Sequence, residues 1–105
     1  MPLDNTPTVE IANPNAEALA LARRVQALLA TPEGWCQGVT RRGDAYCVMA
    51  AVGASAASAS SETMLLVHLR IRKLIGGCTI EWNDDPARTH TDIVALTATL
   101  VASFE

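Results

Sequence analysis

Glu81-Trp82-Asn83-Asp84-Asp85-Pro86-Ala87-Arg88-Thr89 lies between two strongly apolar segments. Nine residues bring together a large aromatic, an amide, acidic groups, a proline and an arginine. This density of polar groups reads as a structured corner between helices, with Trp82 as a buried anchor. Asp84 or Asp85 can cap a single turn that starts at Pro86. Thr89-His90-Thr91-Asp92 has the form of a capping box, with Asp in the usual Glu place.

Outward from the corner, the patterns are helical. After it, Ile93, Leu96, Thr97, Leu100 and Phe104 recur at steps of three and four, predicting a helix from His90 to about Ser103. Before it, Met64, Val67, Ile71, Leu74 and Ile75 form one stripe, while Leu65, Leu66 and Leu69 widen it beyond a single face. Ser60 or Ser61 can cap that helix, and Gly76-Gly77 ends it. Tyr46 to Ala59 reads as a further, mostly buried helix. Its small-residue face is Cys47, Ala50, Ala51, Ala54 and Ala57, while Val48, Met49 and Val52 supply bulk, and its Gly53 implies close approach of a neighbour. Ala18, Leu21, Val25, Leu28 and Leu29 mark a first helix that starts at Asn13-Pro14 and stops at Thr31-Pro32-Glu33-Gly34. Residues 35–45 hold β-prone positions and the turn signal Arg42-Gly43-Asp44, so they read as a hairpin or an irregular loop pinned by Trp35.

The expected fold is therefore mainly all-α: a compact bundle of about four helices with an irregular or hairpin-like segment at 35–45. Residues 1–12 read as a loose N-terminal arm and 13–105 as a single domain. A length of 105 residues, half of them hydrophobic and 18% charged, suits one globular domain. The net charge of −3 argues against a non-specific nucleic-acid binder. No segment is apolar enough to predict a membrane span. Met1 to Asn5 has neither the basic start nor the apolar run of a signal peptide. The three cysteines, Cys36, Cys47 and Cys78, form no Cys-x-x-Cys pair. They fit a reducing cytoplasm, with no metal site or cofactor expected.

Gly34-Trp35 with Gly38, Cys47 with Ala51 and Gly53, and Trp82-Asn83-Asp84 followed by Arg88-Thr89 and Ile93 form a wider pattern. It resembles a group of small, functionally uncharacterised proteins of bacteria and their phages. The resemblance spans roughly residues 16–104 and carries a fold rather than an activity. The cysteine segment departs from it: those relatives usually read Cys-Ala-x-Gly-Ala, and this chain has Cys47-Val48-Met49-Ala50-Ala51, with Ala50 in the usual glycine place.

Cys47 at a helix start, with His90 or His68 as base and Asn83 or Asp84 as orienting group, would make a cysteine-dependent hydrolase or transferase. The competing reading makes Cys47 a small buried core residue. Asp84, Asp85, Asp92 and Glu81 can cap helices rather than bind a metal. Trp35, Trp82, Asn83, Asp84 and Arg88 are the candidates for contacting a ligand or partner. Arg88 can equally pair with Asp84 or Asp85 or cap carbonyls, and the tryptophans can equally anchor the core. The balance favours a non-catalytic interaction module that binds a protein partner or itself. The surplus of large apolar residues between Met64 and Ile75 is the reason.

Overall fold

A computed structural model describes residues 14–105. Five helices run in order: α1 (Pro14–Leu28), α2 (Val48–Ser55), α3 (Ser61–Ile75), the short α4 (Thr79–Asp84) and α5 (His90–Ala102). A 3-10 turn at Pro32–Gly34 and a hairpin of β1 (Arg41–Arg42) and β2 (Ala45–Tyr46) fill the α1–α2 connection. The domain is mainly α, and four of its helices have eight or more residues. The arm expected at 1–12, like the cap expected at Asn13, lies outside the described residues. Among the described residues no helix is long and apolar enough to cross a membrane.

α1 is the centre of the bundle and packs on α2, α3 and α5. Ala18, Leu21, Ala22, Val25 and Leu29 are all fully buried, at the helical spacing that puts them on one face. α5 contributes Ile93, Leu96, Leu100 and Val101, with Phe104 beyond its end. Thr89 starts α5 with a reciprocal cap. Its side chain accepts from the Asp92 N–H, and the Asp92 carboxylate accepts from the Thr89 N–H. Ser60 caps α3 by accepting from the Thr63 N–H, and Gly76 ends α3 at a φ of 76°. The Thr63 hydroxyl, fully buried, donates to Glu17 and so ties α3 to α1.

Two sequence expectations are corrected in α2. The helix is shorter, and its small-residue face is only partly buried: Cys47 and Ala51 are buried beside Val48 and Val52, while Met49, Ala54 and Ala57 are exposed. Burying valines removes more apolar area than burying alanines, so volume outweighs the small-residue pattern. Gly53 has no close neighbour, and a Cβ there would meet nothing within 4 Å. The expected stripe of α3 holds at Val67 and Ile71, which are fully buried with Thr63, and at Met64 and Ile75, which pack on the core; Leu74 departs from it and is exposed near the helix end. The segment at 35–45 does contain a hairpin. Arg41 pairs with Tyr46 and Arg42 with Ala45 across a two-residue turn, whose Gly43 takes a φ of 63°.

Two glycines predict opposite outcomes. At Gly34 a Cβ would collide with the Leu28 carbonyl oxygen, which is backbone and cannot swing away. Gly34→Ala should lower unfolding free energy by about 1–3 kcal/mol. Gly53→Ala should raise it by about 0.5–1 kcal/mol, because alanine is the better helix former in open space. Urea denaturation of the two variants checks both signs.

Candidate functional site

The corner first quoted is half helix. Thr79–Asp84 form α4, which the sequence reading left unassigned, and Asn83 sits in its last turn. Asn83 is fully buried, whereas Trp82 is only half-buried against the core. The anchor of the corner is therefore the amide and not the indole.

The Asn83 carboxamide bonds on every side. Its Oδ1 accepts from the Trp35 indole Nε1–H (2.8 Å) and from the Val48 backbone N–H (3.0 Å). Its Nδ2 donates to the Cys36 carbonyl (3.0 Å) and to Asp84 Oδ1 (2.9 Å). The placement has a backbone logic. Trp35 and Tyr46 form a parallel bridge, in which the Cys36 N–H donates to the Tyr46 carbonyl (3.1 Å). The next rung of a parallel ladder would join the Val48 N–H to the Cys36 carbonyl. The side-chain amide of Asn83 is spliced into that gap and bonds both groups. An amide carries both a donor and an acceptor, so it can stand in for a peptide unit.

The loop around Gln37 and Gly38 closes over the end of α4. Gln37 Nε2 donates to the Asn83 and Asp85 carbonyls (2.9 Å each). These are carbonyls that the end of a helix leaves without partners. Gly38, at a φ of 81°, donates its N–H to Asp84 Oδ1 (2.9 Å). That N–H, and next the Asn83 amide, hold the Asp84 carboxyl below its ordinary pKa of 3.8. Arg88 has a local task as well. Its Nε donates to the Trp82 carbonyl (2.9 Å), and its guanidinium stacks 3.9 Å from the Trp82 ring centroid. Asp85 and Asp92 each lie 3.8 Å from it. Asp85 accepts from the Ala87 N–H and so holds the turn after α4.

The candidate residues thus separate into distinct places. Trp35, Asn83 and Asp84 belong to the buried network. Trp82 and Arg88 line a shallow groove of about 340 Å³ with Leu74, Ile75 and Leu96. Cys47 and Asp84 both line a recess of about 100 Å³ with Gly38, Val39, Thr40 and Ile80. The Cys47 thiol is buried, and its sulfur accepts from the Ala50 N–H (3.4 Å), so it caps α2. His90 does not line that recess. Its Nε2 donates to the Leu29 carbonyl (2.8 Å), and its ring lies 6.4 Å from Trp35. His68 is on α3, where burial pushes its pKa down. Burial also pushes the Cys36 thiol up, against a smaller opposing effect of Arg42. Among the described residues no three His, Cys, Asp or Glu side chains gather as a metal site. Gln37 and the Cys36 carbonyl are the participants that sequence reading missed. No local spacing signals either of them, because their bonds to Asn83 span 46 and 47 positions.

Fold and corner together define a small helical domain closed by a buried amide network. The chain belongs to the family of unknown function DUF6197, which matches residues 13–102. No curated protein and no solved structure matches it.

Asn83→Ala should leave two backbone groups and an indole N–H buried without partners and destabilise the domain by about 3–5 kcal/mol. Trp82→Ala, at a half-buried site, should cost about 2 kcal/mol. Thermal melts that rank the two variants in the reverse order would contradict the assignment of the anchor. A second expectation concerns acid. The depressed Asp84 pKa contributes stability above its unfolded value, which is lost as pH falls through the lower folded value. Between pH 5 and 2, as rough limits, Asp84→Asn should lose stability less steeply than the parent chain. Parallel slopes in acid denaturation would sink that expectation.

Proposed function

We propose that this protein is a non-catalytic interaction module, a small accessory protein of a bacterium or phage, which docks on another protein chain through the outer face of α3. One observation carries the reading. Leu65 and Leu69, one turn apart on α3, are 58% and 51% exposed, more than the other exposed large apolar residues among the described ones. They point away from the Thr63–Val67–Ile71 line that packs on the core. Large apolar side chains in adjacent turns of an exposed helix are a pattern of helix-mediated docking.

The arrangement of the corner supports a non-catalytic role. Asp84 is engaged by Gly38 and Asn83, Arg88 by Trp82 and the flanking aspartates, and the His90 Nε2 by Leu29. A nucleophile needs a base within hydrogen-bond reach, and Cys47 instead serves as a helix cap. The three free thiols fit a reducing cytoplasm as the place of action.

A photo-crosslinking residue placed at 65 or 69 in the source cell tests the reading. Covalent protein adducts should form at both positions and not at the exposed Ala102 on α5. Equal yields at all three positions would contradict it.

A further inference from the structure

The outer face of α3 carries a pattern that names its occupant. From Val67, which faces the core, Leu65 and Leu69 lie about 160° around the helix in opposite senses. Glu62 and Arg72 lie about 140° around it, again in opposite senses. The four residues therefore form one outward ridge, read in order as acid, leucine, leucine, base. The ridge is symmetric about residue 67. Positions 65 and 69 are two residues on either side of it, and 62 and 72 are five. All four residues are exposed. Among the described residues neither the Glu62 carboxylate nor the Arg72 guanidinium has an ion-pair partner within the chain.

We infer that the partner seated on α3 is a second copy of the same chain, with the two α3 helices antiparallel about a two-fold axis. This rests on the reading of that face as a docking surface. A two-fold contact must be self-complementary: where one residue meets another, the second also meets the first. Turning α3 end for end about residue 67 places Leu65 against Leu69 of the other copy, and Glu62 against its Arg72, twice over. The leucines supply the dry centre and the two ion pairs supply the rim. A parallel pairing would set Glu62 beside Glu62 and Arg72 beside Arg72, so charge selects the antiparallel one. Antiparallel helices also place each positive dipole end beside the partner's negative end.

Two leucines per copy make a small contact, below the area of a standard stable interface. The dimer should therefore be weak, forming at roughly 10–500 μM. Sedimentation velocity of the full chain across that range should show the monomer giving way to a dimer. Leu65→Asp should weaken association at least about tenfold, and Glu62→Arg or Arg72→Glu alone about three- to tenfold. The double variant Glu62→Arg/Arg72→Glu should restore the parent affinity within about twofold, because the swapped charges meet again across the axis. These side chains are exposed, so each variant should fold, which far-UV circular dichroism checks.

A parent chain that stays monomeric to 500 μM, or a double variant no tighter than either single one, overturns the inference. The crosslinking at 65 and 69 separates this failure from that of the docking reading. Adducts of twice the chain mass support the second copy. Adducts with a different protein overturn it while leaving the docking surface standing. No adduct above the Ala102 control removes both.

Discussion

One buried carboxamide holds the non-helical part of this protein to the helical part. The connection between α1 and α2 is long and includes a hairpin, and its Trp35 and Tyr46 pack against the core. Left alone, the Val48 N–H and the Cys36 carbonyl would be buried without partners, and each such group costs on the order of 1–3 kcal/mol. Asn83 meets both and also takes the Trp35 indole N–H. Gln37 returns the connection by closing carbonyls at the end of α4. The loop satisfies the helix end, and the helix end satisfies the loop. This mutual dependence explains why a six-residue helix can persist: its stability is tertiary, since a helix that short is marginal alone.

Around this junction the bundle follows ordinary burial physics. The fully buried stripe of α1 touches three other helices, so the alanines Ala18 and Ala22 permit close approach where larger residues would separate them. Phe104 supplies bulk at the far end, under the Arg70 guanidinium 4.3 Å from its ring centroid. Charged residues at α3 lie where they either cover the core edge, as Arg70 does, or project outward, as Glu62 and Arg72 do. The same helix thus serves the core with one face and leaves a self-complementary ridge on the other.

Much of the helical architecture was legible in the sequence because it follows from periodicity and caps. The α5 stripe, its Thr89–Asp92 capping box, the Ser60 cap and the Gly76 stop each rest on interactions within a few residues. What was not legible depends on distant partners. Thr79–Asp84 looked like part of a turn because it ends in an aspartate and Asp85 and Pro86 follow at once, and its helicity depends on Gln37 and Arg88 closing its end. Trp82 was the expected anchor because size suggests burial. Asn83 displaced it because a buried gap in a backbone ladder calls for both a donor and an acceptor, and an indole offers only the donor. In α2 the small-residue pattern reached too far: Cys47 and Ala51 are buried beside the two valines, while Ala54 and Ala57 are exposed. Trp82, Asn83, Asp84 and Arg88 stand out in the sequence as one corner, but sequence spacing could not show that Arg88 and Trp82 face a different groove from Asp84 and Cys47.

The central claim is that the Asn83 amide locks the loop to the bundle as firmly as the core itself is held. Native-state hydrogen exchange of the Val48 amide and the Trp35 indole N–H measures this directly. Both protons should exchange only through global unfolding, with the same opening free energy as the core amides of Val67 and Ile71. Exchange of either proton at the faster rate of the exposed hairpin amides, with the core amides still protected, would contradict the account.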